Sequence, residues 1–155
     1  MLPEAYEYKR ARNSMQYEFY SEGPRGRIRK FILYTYIGTS NRRKNYNLGF
    51  GDYDPEKDEI LDLIVSDNKD QDKILATVAA TALHFADAHP GCVILFRGST
   101  PARTRLYQMN IARHYEDIAR IYDFQCLTGS GEWVEFKKGA NYTGFLFRKK
   151  VISLH

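Results

Sequence analysis

From Met15 to Tyr20 apolar and polar residues alternate, the period of a strand with one buried face. Ser21-Glu22-Gly23-Pro24-Arg25-Gly26 reads as a turn. Arg27 to Ile37 resumes the alternation, with Ile28, Ile32, Tyr34 and Tyr36 on one face. Phe31, Leu33 and Ile37 make the other face apolar too, which predicts a central position in a sheet. Residues 38 to 45 are polar and predict a loop. Tyr46, Leu48 and Phe50 then alternate with Asn47 and Gly49, Asp52 to Asp58 predicts an acidic turn, and Ile60 to Val65 a further strand. The opening half is thus expected to be an antiparallel meander.

The period then changes to that of a helix. Ile74, Leu75, Val78, Ala79, Ala82, Leu83 and Ala86 form an i, i+3, i+4 stripe, with Asn68 or Asp70 as cap and His89-Pro90-Gly91 as the stop. Cys92 to Phe96 is a short apolar run expected to be a buried strand. A second helix is predicted from Pro101 to about Tyr122, capped by Ser99 or Thr100, with proline at its first position. Phe124 to Leu127, Glu132 to Phe136 and Thr143 to Arg148 predict three closing strands. The order β-β-β-β-α-β-α-β-β-β predicts an α+β fold: a mostly antiparallel sheet of about six to seven strands carrying two helices, in one domain over residues 1–155.

Composition narrows the class. The chain is 43% hydrophobic and 14% aromatic, too apolar for a disordered segment. No apolar run approaches a membrane span, and the first residues form no apolar signal region, so no membrane partner and a cytoplasmic location are expected. Cys92 and Cys126 are distant and sit in strand-like runs, which predicts reduced core thiols.

Charge is unevenly spread. The net charge is +4, but residues 51 to 75 hold nine acidic residues against three lysines, leaving twenty basic against ten acidic elsewhere. Basic clusters fall at Arg25/Arg27/Arg29/Lys30, Arg42/Arg43/Lys44, Arg97/Arg103/Arg105 and Arg148/Lys149/Lys150. Such asymmetry suits a polyanion partner on one side. The alternative for any one cluster is a solvated surface.

The candidate chemistry concentrates at Gly98-Ser99-Thr100-Pro101-Ala102-Arg103-Thr104-Arg105. The first amides of a helix lack intrahelical acceptors and carry partial positive charge. Gly98 permits close approach, Ser99 and Thr100 offer hydroxyls, and Arg103 and Arg105 offer guanidinium forks, so the turn is suited to a phosphate. On a helical wheel Ile111, Ala112, Tyr115, Ile118, Ala119 and Tyr122 face the sheet, and Arg105, Arg113, Glu116 and Arg120 face water. Arg103, Asn110 and His114 lie on the border beside Tyr107. Tyr107 and His114 are therefore the candidate acid–base groups should the turn support metal-independent phosphodiester cleavage. The competing reading of the same turn is an ordinary helix cap with structural arginines.

Other patterns carry less. His84 and His89 are spaced too far around a helix to share a metal, and no carboxylate–histidine motif is present, so neither a metal nor a cofactor is expected. The acidic run Asp52 to Asp58 lacks the glycine and distal glutamate of a calcium loop and is expected to be a solvated hairpin tip. Tyr34, Tyr36 and Tyr46, close to Arg42/Arg43/Lys44, are the aromatic and basic set that a single-stranded nucleic acid would use, although strand alternation also places such rings in a core.

Four segments carry a resemblance: Ser21 to Gly26, Asn47 to Asp52, Leu75 to Val78 and Gly98 to Tyr107. Together they resemble a family of small proteins found mainly in Bacteroidetes-type bacteria and without assigned activity. The resemblance implies a bacterial cytoplasmic protein, similar in size and setting to toxin–antitoxin components, and carries over no catalytic residue. Residues and resemblance together lead to a module that binds RNA or a nucleotide phosphate through Gly98, Ser99, Thr100, Arg103, Arg105 and Tyr107. The alternative is a protein-interaction or structural module, a homo-oligomer included, with no ligand.

Overall fold

The computed structural model describes residues 4–11, 15–54, 56, 59–61, 68–98 and 100–150. Its elements are β1 (Lys9–Arg10), β2 (Gln16–Gly23), β3 (Gly26–Ser40), β4 (Arg43–Asp54), β5 (Glu59–Leu61), α1 (Gln71–Ala88), β6 (Val93–Phe96), α2 (Pro101–Arg113), α3 (Tyr115–Ile121), β7 (Tyr122–Leu127), β8 (Trp133–Val134) and β9 (Gly144–Lys149). The fold is α+β. One open sheet runs β1-β2-β3-β4-β6-β9-β7-β8, with β5 paired to β4 beside it. Every pairing is antiparallel except β4 with β6, which α1 connects as a crossover.

Strand register puts one apolar face under the helices. Tyr17 pairs with Ile32, Tyr34 with Leu48, Leu48 with Phe96, Phe96 with Phe145 and Phe147 with Phe124. Phe85 of α1 stacks on Tyr34 at 4.2 Å between ring centroids, Tyr107 of α2 meets Phe96 at 4.8 Å, and Tyr115 of α3 meets Phe124 at 6.1 Å. All three helices therefore cover this one face.

Several elements differ from the expectation. The polar residues 38 to 45 form no loop: β3 and β4 continue to Ser40 and Arg43, joined by Asn41 and Arg42 with φ of 50° and 64°. Two left-handed residues make the tight turn whose twist matches a hairpin. These strand ends are solvated on both faces, so no alternation marks them. The long second helix breaks at His114, whose amide is shared between the carbonyls of Asn110 and Ile111, and Tyr122 already belongs to β7. In α1 the buried line is centred on Thr77, Thr81 and Phe85. The two threonines enter the core because their hydroxyls donate to Lys73 and Val78 carbonyls of the same helix. β1 carried no pattern in the sequence, and of the strand expected over 60 to 65 the described part is Glu59–Leu61.

Asp52 is not part of a solvated acidic turn. It is buried in β4 directly opposite buried Lys30 of β3, and the ammonium donates to its carboxylate. The expected tip residues Pro55, Lys57 and Asp58 lie outside the described residues.

Candidate functional site

At the C-terminal end of β6 the chain leaves the sheet through Arg97 and Gly98 and enters α2 at Pro101. The helix start is as expected: the Thr100 side chain accepts a hydrogen bond from the Arg103 amide at 3.3 Å, and Pro101 occupies the first position. Gly98 has a packing role. It has no positive φ, but a Cβ on it would stand 2.6 Å from the Thr104 amide nitrogen and 2.8 Å from the Arg103 Cβ. The glycine lets the strand end pack against the first turn of its own helix.

That packing engages three amides of the turn, those of Gly98, Arg103 and Thr104. The buried Thr104 hydroxyl accepts from the Gly98 amide at 3.1 Å and lies within donating distance of the Gly98 and Thr100 carbonyls. The Thr104 amide donates to the Thr100 carbonyl, the Arg103 amide to the Thr100 hydroxyl, and Pro101 has no amide hydrogen. The turn is thus tied together by hydrogen bonds of its own. Ser99 lies outside the described residues.

The side chains that converge here line a cleft of 520 Å³. Arg97, Thr100, Arg105 and Gln108 line it together with Asn141, Tyr142 and Thr143. Gln108 holds the 140–142 segment to α2: its carbonyl accepts from the Tyr142 amide at 3.2 Å and its amide donates to the Ala140 carbonyl. Tyr142 is buried and its phenol oxygen accepts from the Lys137 amide at 2.8 Å. Among the described residues no carboxylate lines the cleft.

The expected site residues are only partly brought together. Gly98, Thr100 and Arg105 line the cleft. Arg103 is half-buried and outside the lining, and Tyr107 lies against Phe96. His114 opens on another cavity, of 760 Å³, with Arg120 and Phe136. Its Nε2 is 3.8 Å from the Asp72 carboxylate of α1. Sequence reasoning missed Gln108, Asn141, Tyr142 and Thr143 as site residues. The Gln108–Tyr142 contact spans 34 positions and leaves no trace in local spacing.

The two cysteines are core groups. Burial pushes the Cys92 thiol up to about 11 and the Cys126 thiol up to about 12. Among the described residues no group of three or more His, Cys, Asp or Glu side chains is placed to hold a metal ion, and no helix is long and apolar enough to cross a membrane. Among the described residues the large apolar side chains left exposed, Tyr36, Ile37, Met109 and Trp133, are on three different elements.

The class shown is that of the fold, α+β, with an open, mostly antiparallel sheet and its helices on one face. Residues 3–150 match the model of DUF6934, a family of unknown function, and the chain belongs to that family. No curated protein and no solved structure gives a significant match.

Proposed function

We propose that the protein binds a phosphate-bearing ligand, a nucleotide or the phosphate of an RNA, in the cleft between Arg97, Arg105 and the 141–143 segment. The observation that carries this reading is a cleft lined by two arginines and, among the described residues, by no acidic side chain. Arg29 is paired with Glu18, Arg113 with Asp72 and Arg148 with Asp123. Arg97 and Arg105 face one cleft, with no acidic side chain in its described lining. Two guanidinium groups with no ion pair among the described residues, together with Thr100, Asn141 and Thr143, supply charge and neutral hydrogen-bonding groups for an anion.

The proposed activity is binding. Tyr107 and His114, the alternative acid–base candidates, are not among the residues that line the cleft. The test is calorimetric titration with a nucleoside monophosphate at low and high salt. Binding that weakens with salt and is lost in Arg97→Ala/Arg105→Ala supports the reading. Equal heats in the parent protein and the double variant overturn it.

A further inference from the structure

The β3–β4 hairpin carries a second feature, at the opposite end of β6 from the cleft. β2 stops pairing with β3 at Leu33, and β6 begins to pair with β4 at Asn45. From Gly38 to Lys44 the two strands pair only with each other, so they leave the sheet as a two-stranded ribbon. The ribbon tip is Asn41 and Arg42, followed by Arg43 and Lys44. Arg42 and Lys44 are exposed, and Arg43 is fixed by one hydrogen bond, from Nη1 to the Gly91 carbonyl at 3.1 Å.

Between the ribbon and the turn after α1 lies a groove of 630 Å³. Its lining includes the three cations together with Tyr46 and His89, whose rings are 5.5 Å apart, and no carboxylate among the described residues. On the flank of the ribbon a register shift at Tyr36/Gly38 leaves Tyr36 49% and Ile37 52% exposed. The Tyr36 ring is steadied by Tyr46, edge-on at 5.7 Å, and by a hydroxyl contact with Thr39 at 2.6 Å.

Consecutive cations beside a braced, exposed ring match the two needs of an unpaired strand: charge for its phosphates and a flat apolar surface for a base. A duplex would satisfy the cations but present no free base to the ring. We propose that the ribbon and its groove bind single-stranded nucleic acid, with Arg42, Lys44 and the remaining donors of Arg43 on the phosphates and Tyr36 under a base. The site shares no residue with the Arg97–Arg105 cleft.

The test uses the full chain, a labelled uridine oligonucleotide of about 12 residues, the scale of one single-strand site, and a salt series. Arg42→Ala/Lys44→Ala is expected to weaken oligonucleotide binding about tenfold or more and to flatten the slope of log K against log salt by about 1.4, two single-strand phosphates' worth. Tyr36→Ala is expected to weaken binding with the slope unchanged. Both variants should melt like the parent and bind a nucleoside monophosphate unchanged. Oligonucleotide binding that is insensitive to these substitutions would overturn the proposal. So would a duplex of equal length bound as tightly, or anionic vesicles bound in place of the oligonucleotide. The arms separate the two sites: loss of mononucleotide binding in Arg97→Ala/Arg105→Ala reports only the cleft, whereas the ribbon variants report only the longer ligand.

Discussion

Thr104 closes the turn that precedes its own helix: its hydroxyl accepts the Gly98 amide at 3.1 Å, and its amide nitrogen would lie 2.6 Å from a Cβ on Gly98. The Gly98→Ala variant must therefore push the strand end off the helix. Its expected cost is about 1–3 kcal/mol, the range for overpacking a close contact. Gly129→Ala is the control, since a Cβ there meets nothing within 4 Å. Thermal melts of the two variants should separate clearly; identical midpoints would contradict the account of this turn.

Lys30 and Asp52 form a buried ion pair across β3 and β4. Removing one partner leaves a charge in the core, so Asp52→Ala is expected to cost about 3–5 kcal/mol. Replacing both, as Lys30→Met/Asp52→Leu, should recover most of that loss. Urea unfolding of the single and double variants measures the difference. A double variant as unstable as the single one would show that the pair contributes through more than its charge.

Burial sets the alkaline limit of the fold. It raises Tyr17 to about 12, Cys92 to about 11 and Cys126 to about 12, and it raises Tyr34 and Tyr122 as well. Each group is held neutral in the folded state, whereas in the unfolded chain phenols titrate near 10 and thiols near 9. The stability so contributed is complete below about pH 9 and is lost progressively as the pH rises towards about 12. Circular dichroism across that interval should show a cooperative loss of structure. At about pH 8 a thiol reagent should react only after denaturation, because the thiolate is the reactive form and burial suppresses it. Rapid labelling of the native protein would contradict this.

The cleft predicts a ranking among three arginines. Arg97→Ala and Arg105→Ala should each weaken nucleotide binding by about tenfold to a hundredfold, as for a lost hydrogen bond to a charged group. Arg103, close in sequence but outside the cleft lining, should matter less to affinity. Calorimetry on the three variants gives the order directly, and an Arg103 effect larger than the other two would return the site to the helix turn itself.

How far the chain can be read without coordinates depends on where the information lies. The alternation of Tyr17, Phe19, Ile32 and Tyr34 and the stripe through Val78 and Ala82 are local, and they reveal strands, helix and fold class. The cap at Thr100 and Pro101 is also local. The ribbon at Asn41 and Arg42 was hidden because strands wet on both faces have no hydrophobic period. Asp52 was hidden because its partner Lys30 lies across a strand pair, so the acid looked like part of a solvated run. For the cleft, Gly98, Thr100 and Arg105 were legible, but Gln108, Asn141, Tyr142 and Thr143 come together only through tertiary structure. Of the helix border expected to hold Arg103, Tyr107 and His114, Tyr107 meets Phe96, and α2 ends before His114.

The central claim is that an anion sits between Arg97, Arg105 and the 141–143 segment. The most direct measurement is an amide-resolved NMR titration of the full chain with a nucleoside monophosphate. Saturable shifts concentrated at Arg97 to Gln108 and Asn141 to Thr143, and abolished in Arg97→Ala/Arg105→Ala, are the predicted result. Shifts that cluster elsewhere, or an unchanged spectrum at millimolar ligand, would contradict it.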